Sequence, residues 1–423
     1  MSEKKHKERR RRERAQKEEP KVNKISDVKM AYIMYGKKVF IIPIVIAIIL
    51  GAVIWGIVYN VRKNNAPQET ADNQKEQINY IWGEIKPGKK NTNNYTMVTS
   101  SDGIQVPVPT GYTASSASDE NSVNGGFVIY EGTDAVTDSN KWDAQCNRNQ
   151  YVWIPIADVS DMYWRDQTTG KKYGTTYTFS ASSYSKSSSN KQEPQTTSVD
   201  KQSTYLTQYL NGMTREDFLM EMEIDFDKML NSVATYGGYY IGRYETGDLS
   251  QATPVVKRIN TDLSYQTWYT MWKKAKKLSG TSAGVQMIWG IQWDETMKWL
   301  IDTGEKTYED IASDSISWGN YYNNSFTYYT NTSKSTATKS LGNDEIIPSG
   351  AYEGTNANNV FDLAGNVSDW TLESSGSGTG YGKYLRGAAY SSYGDSGPAA
   401  YRGDDSPIVS YDSYGLRCAL YVK

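Results

Sequence analysis

The sequence predicts an α+β domain with few regular elements and much irregular loop, preceded by one transmembrane helix. Three observations lead there. Val39 to Tyr59, "VFIIPIVIAIILGAVIWGIVY", is an uncharged apolar run. Beyond it, short β-rich runs such as "GGFVIYEG" and "QYVWIPI" are bounded by Gly, Pro and Asn. Between these lie a few stretches with helical spacing and helix start or stop signals.

The run at 39–59 is long enough to span the ~30 Å hydrocarbon core at ~1.5 Å per residue, and too long for the apolar region of a signal peptide. Residues 1–38 hold fourteen Lys/Arg against six Asp/Glu, and the remainder holds 32 against 42. The basic excess precedes the span, so the expected topology is a cytoplasmic basic tail (1–38), a transmembrane helix (39–59) and an extracytoplasmic remainder. Pro43 falls in the first turn, where its missing N–H costs least. The acidic remainder gives no reason to expect nucleic-acid binding.

Residues 60–103 are polar and read as a stalk, broken by one short element at "INYIWGEI". The domain proper is expected over 104–423. The whole chain's 38% hydrophobic content is low, while its 34 Tyr and 12 Trp point to a core of aromatics that keep a polar handle. Residues 166–210, rich in Ser, Thr, Tyr, Lys and Gln, read as a low-complexity insertion and a surface loop. Thr214-Arg-Glu-Asp217 starts a helix, continued by Leu219, Met222, Phe226, Met229 and Val233 at helical spacing. Its acidic residues, Glu221, Glu223, Asp225 and Asp227, alternate and read as a solvated face. "YYIGRYETG" (Tyr239–Gly247) is a strand ending in a turn. "SYQTWYTMWKKAKKLSG" and "QWDETMKWLIDTG" are helices stopped by Gly280 and Gly304.

Several of these segments occur in the order of one known family. They are "YVWIPI", "YYIGRYE", "PVVKRINTDLSYQTWYTMWKKAKKLSG", "IQWDETMKW", "NVFDLAGNVSDWT", "YLRGAAY", "AAYR" and "YGLRC". The chain resembles the formylglycine-generating (sulfatase-modifying factor) domain, a variant of the C-type-lectin fold. The resemblance spans roughly 104–423, and "GNVSDW" and "GLRC" are its most specific pieces.

"FDLAGNVSDW" carries hard oxygens and a Gly-Asn turn, and calcium takes six to eight such oxygens. The resemblance implies calcium held by the side chains of Asp362 and Asp369 and the carbonyls of Gly365 and Val367. The other reading is a loop that folds without metal, its polar groups bonding local N–H groups.

The family's catalytic members use a cysteine pair for copper or histidines for iron. The segment that would carry the cysteine pair, "RGAAYSSYGDSGPAAYR" (386–402), has no Cys, and the single histidine is His6. Neither metal centre can be built on these residues. A Ser-His-Asp triad lacks its base, and zinc lacks its usual ligands. Cys418 matches the family's terminal cysteine, which is structural there, and Cys146 lies just before "YVWIPI". Within the resemblance, a Cys146–Cys418 disulfide and two buried free thiols are both open.

Residues 390–414 are mostly Tyr, Ser, Gly and Asp. This is a set that antibody loops also use, because Tyr gives rigid amphipathic contact area while the small polar residues adapt. The composition and position also resemble the variable segment of diversity-generating-retroelement target proteins of bacteria and phage. The expected contacts are Tyr390, Tyr393, Asp395, Tyr401, Arg402, Asp404, Asp405, Tyr411, Asp412 and Tyr414. The alternative is ordinary loop chemistry for the fold. The expected function is a membrane-anchored, non-catalytic surface protein that binds an extracellular protein or glycan, with calcium structural. An enzyme with a non-standard active site and a structural envelope protein are the alternatives.

Overall fold

The computed structural model describes residues 84–375 and 382–423. The expected basic tail and the expected span at 39–59 lie outside the described residues. Among the described residues, no helix is long and apolar enough to cross a membrane.

A six-stranded antiparallel sheet forms the centre. Its spatial order is Ala283–Met287, Cys418–Val422, Gly238–Gly242, Gln150–Pro155, Val128–Glu131, Tyr112–Ala114. Its four inner and neighbouring strands from 150 to 422 are almost wholly buried, and they read as continuous rather than alternating apolar runs. A second sheet of four strands holds the C-terminal motifs, in the order Arg402–Asp405, Lys383–Arg386, Ser368–Ser374, Tyr414–Leu416. Ser368–Ser374 pairs antiparallel with Lys383–Arg386 and parallel with Tyr414–Leu416. The chain passes from the second sheet into the first at one residue, Arg417.

Helices cover the central sheet. Arg215–Tyr236 starts where expected: Thr214 Oγ1 accepts from the Asp217 N–H at 3.1 Å. It ends at Gly237, whose φ of 82° is the left-handed conformation glycine adopts freely. Phe218, Met222, Phe226, Met229, Leu230 and Val233 are buried. Trp268–Lys276 and Gly290–Asp302 are the other two long helices of the core. Their indoles interlock with the first: Phe218 meets Trp272 edge-on at 5.1 Å and Phe226 meets Trp289 at 4.9 Å. Such pairs add ~0.5–1.5 kcal/mol each beyond burial. The Trp268 indole N–H donates to the Thr371 carbonyl at 2.8 Å, which ties the helix to the second sheet.

Four expectations need correction. The domain begins before 104, because Tyr95–Thr99 pairs antiparallel with Gln105–Pro109. The 166–210 segment is folded: it contains the hairpin Thr176–Ser180/Ser183–Ser187 and the helix Ser203–Leu210. It is held because Glu193 accepts the N–H groups of Gly290 and Ile291, both at 2.8 Å, and so caps the Gly290–Asp302 helix. The acidic run is not a solvated face. Asp227 is buried against Lys172 at 2.6 Å, Glu223 pairs with Lys171 at 2.7 Å, and Glu221 and Asp225 meet Lys276. Finally, Ser264–Gln266 precede the Trp268–Lys276 helix rather than belonging to it, because Thr267 is the N-cap.

Candidate functional site

"FDLAGNVSDW" forms a backbone corner. Asp362, Gly365 and Asn366 all have positive φ (56°, 72° and 59°). A Cβ on Gly365 would come 2.1 Å from the Asn320 carbonyl oxygen, so only glycine fits there. The corner is held almost entirely by protein groups. The Asp362 carboxylate accepts from Ser349 Oγ (2.9 Å), the Gly350 N–H (2.6 Å) and Thr355 Oγ1 (2.8 Å). Asn366 Nδ2 and the Val367 N–H donate to Glu245 at 2.5 and 3.1 Å. Buried Arg417 donates from Nε to Asp369 Oδ2 (3.0 Å), from Nη1 to the Gly242 carbonyl (3.0 Å), and from Nη2 to the carbonyls of Phe361 and Asp362 (2.9 Å each).

These residues do not fit the expected calcium ion. The Asp362 oxygens are turned toward three donors of their own, and Asp369 is answered by a guanidinium. Of the Asp362 and Asp369 side-chain oxygens, only Asp369 Oδ1 is left without a partner. Among the described residues, no group of three or more His, Cys, Asp or Glu side chains gathers as a metal cluster. Arg417 supplies the positive charge at this corner. Burial still pushes the Asp369 carboxyl up to about 6 and raises Asp362, with Arg417 acting the other way on both.

The cysteines are not bridged: both are buried free thiols. Cys418–Val422 lies between Ala283–Met287 and Gly238–Gly242, one strand away from the Gln150–Pro155 strand that follows Cys146. Thr246 Oγ1 donates to Cys418 Sγ at 3.3 Å, and burial pushes that thiol up to about 12. A Ser–Lys pair also occurs, with Lys383 Nζ donating to Ser374 Oγ at 2.8 Å and burial lowering the ammonium to about 8. Both side chains are fully buried, so no substrate reaches them in this conformation.

The Tyr- and Asp-rich segment divides. Tyr411 is half exposed at 50% and meets Tyr414 edge-on at 5.1 Å; Tyr414 in turn packs on Trp370 at 5.2 Å. The Tyr414 hydroxyl donates to Asp405 at 2.9 Å. Tyr390 is buried, with Asp412 close enough to act on its hydroxyl. Burial and then Asp412 raise Tyr390, and burial and then Asp405 raise Tyr414, so both hydroxyls remain donors at neutral pH. Tyr401 (43%), Asp404 and Asp412 are exposed. Tyr393 and Asp395 are exposed on a neighbouring turn, with Tyr393 5.4 Å from Tyr322. Arg402 does not join the face, because it turns inward to Asp294 at 3.1 Å and Glu373 at 3.4 Å.

One residue of this face was not among the expected contacts. Tyr265 is 65% exposed, and its N–H donates to the Tyr411 carbonyl at 3.0 Å. The sequence signal was Thr267 three residues before Thr270, a cap that places Tyr265 outside the helix.

Residues 271–422 match the "Sulfatase-modifying factor enzyme 1-like domain" family. The resemblance drawn from the ordered motifs therefore holds over that stretch, and the α+β architecture fits it. Two solved structures are similar at a distance. Variable protein 1 of Treponema denticola is 16% identical, covering 43% of this chain and 84% of that one, with a TM-score of 0.29. CarF is 14% identical, covering 44% and 87%, with a TM-score of 0.28. No curated protein matches the chain.

Proposed function

We propose that the domain is a non-catalytic binding module, anchored in the membrane through 39–59 and displayed outside the cell. Its ligand, an extracellular protein or glycan, rests on the face built by Tyr265, Tyr401, Tyr411 and Asp412. The observation that carries this reading is the state of the tyrosines. Three are substantially exposed, yet Tyr265 and Tyr411 are fixed to the scaffold, one by a backbone bond, the other by Tyr414. Rigid, amphipathic aromatics give contact area at little entropic cost. The missing family cysteines and histidines leave binding as the simplest use of such a face.

The test is an array of extracellular proteins and glycans probed with the full-length chain and with Tyr265→Ser/Tyr401→Ser/Tyr411→Ser. Interface tyrosines that anchor a ligand cost more than ~1 kcal/mol each. The triple variant should therefore lose its array partner by about a hundredfold while melting within about 2 °C of wild type. Equal binding by the variant would overturn the assignment of this face. Chemical turnover of a bound partner would overturn the non-catalytic reading.

A further inference from the structure

Independently of the tyrosine face, we propose that a cleft beside the C-terminal strand binds a small organic phosphate, its phosphoryl group among Lys89, Lys228 and Lys423 and its organic body against Tyr236 and Tyr421. The cleft has a volume of about 650 Å³. Its floor is the edge strand Ala283–Met287 with the end of the C-terminal strand, and its walls are the last turns of Arg215–Tyr236, Lys276 and the segment at 88–89. Lys276 ends the Trp268–Lys276 helix, so the cleft opens at the other end of that helix from Tyr265. The incoming segment is pinned to the wall: the Gly88 N–H donates to Thr235 Oγ1 at 2.7 Å and the Lys86 N–H to Asn231 Oδ1 at 3.3 Å. That fixes where Lys89 enters the rim.

The first feature that points to an anion is charge. Four lysines from four separate segments line the cleft against one acid, Asp225. Asp225 is met by Lys276, which Glu221 also holds. The main-chain oxygen of Lys423 is turned away to Asn94 Nδ2 at 3.0 Å. Burial, and then the nearby charge of Lys228, lower the Lys423 ammonium. Like charges held this close oppose one another, and a shared counter-ion turns that opposition into binding. The excess is local, because residues after 38 carry 32 Lys/Arg against 42 Asp/Glu.

The second feature is a buried donor. Gln286 lines the cleft, is 2% exposed, and its amide nitrogen has no partner among the described residues. Gly284 pairs with Tyr421, so Gln286, two residues on, lies on the same face of the sheet as Tyr421. A buried donor left unmade is costly, and a phosphoryl oxygen satisfies it. Lysine serves phosphate as a point charge. A phosphoryl group offers three acceptor oxygens, which suits donors converging from separate segments better than a planar carboxylate does.

The third feature is size. Small-molecule sites run ~300–1,000 Å³, and a bare ion would leave most of this cleft unfilled. Tyr236, packed edge-on against Tyr95 at 5.1 Å, and Tyr421, whose ring lies over Gly284, supply a fixed amphipathic wall for an organic body.

The test is calorimetric titration of the full-length chain in non-ionic detergent. The probes are glucose 6-phosphate, AMP, glucose, adenosine and inorganic phosphate. Four forms are compared: wild type, Lys228→Gln/Lys423→Gln, Gln286→Leu, and the remote charge-matched control Lys201→Gln/Lys334→Gln. The basic tail is common to all four and cancels from the comparison. One of the two phosphomonoesters should bind wild type at least tenfold tighter than its dephosphorylated counterpart and than inorganic phosphate, and which one does so tells a sugar body from a nucleoside body. Both cleft variants should weaken it at least fivefold while melting within about 2 °C of wild type, and the remote control should leave it unchanged. Inorganic phosphate binding as tightly as both esters would overturn the organic ligand. Full affinity in either cleft variant, equal weakening by the remote control, or no binding of either ester would overturn the site.

Discussion

Replacing Arg417 tests how the C-terminal corner is held. Its guanidinium makes four hydrogen bonds, one to a carboxylate and three to carbonyls, and it is fully buried with Asp369. Breaking a buried ion pair from one side costs about 3–5 kcal/mol, because a charge is left without compensation. Each orphaned carbonyl adds about 1 kcal/mol where water cannot reach it. Arg417→Met should thus cost about 4–8 kcal/mol, a large part of the ~5–15 kcal/mol that domains of this kind possess. Arg417→Lys keeps the charge but loses the fork, and should cost less than Arg417→Met while still folding. The decisive measurement is a double-mutant cycle with Asp369→Asn by urea denaturation. If charge pairing dominates, the double variants recover about 2–3 kcal/mol relative to the sum of the single changes. A coupling below about 0.5 kcal/mol, the level of independent sites, would refute the claim that this arginine is the charge partner of the corner.

Two further outcomes follow from the same interior. Burial, with Glu373 nearby, pushes the Glu193 carboxyl from its ordinary 4.5 up to about 8, against the pull of two helix N–H groups. The folded state therefore holds this proton more tightly than the unfolded chain. Its contribution to stability is complete below about 4.5 and is lost as pH rises through about 8. The melting temperature should fall between pH 5 and pH 8.5, and Glu193→Gln should flatten that slope without abolishing it. Asp227 and Glu295, each raised to about 7 by burial, act in the same direction. An unchanged slope in the variant would remove Glu193 from the account. Chelation with EGTA should move the melting temperature by less than about 1 °C, because the corner's charge is supplied by Arg417. A fall large enough to signal ligand linkage, of the kind expected when ~2.7 kcal/mol of binding free energy is withdrawn, would restore calcium to this loop.

What the sequence disclosed was local chemistry. The Arg215–Tyr236 helix was legible because its cap, its spacing and its terminal glycine agree. The ordered motifs located the corner and the Tyr-rich loop. What it hid depends on which segments meet. Composition marked 166–210 as a loop, yet Glu193 within it caps a helix about a hundred residues later. The sequence left the cysteine pairing open between a bridge and two buried thiols; the structure has the thiols, and the strand at 238–242 lies between Gln150–Pro155 and Cys418–Val422. The calcium reading looked only at donors inside "FDLAGNVSDW", while the groups that satisfy them, Ser349, Thr355 and Arg417, lie outside it. Tyr265 was hidden by treating one continuous polar-aromatic run as a single helix.

The low apolar content and the acidic face have a common origin. A fold this rich in irregular loop has few long ladders to fix its segments, so buried arginines do it. Arg243, just past the end of one central strand, bonds Glu120 at 2.7 Å and Asn359 at 2.9 Å. Arg417, at the start of the adjacent strand, reaches 242, 361, 362 and 369. Arg386 and Arg402 converge on Asp294. Such pairs add little net stability compared with apolar packing, but unpaired alternatives are costly, and they specify one arrangement of the loops. Each arginine drawn inward is one fewer base at the surface beside it. The same device fixes the backbone under residues 390–414 and leaves Asp395, Asp404 and Asp412 as the exposed charges of that segment.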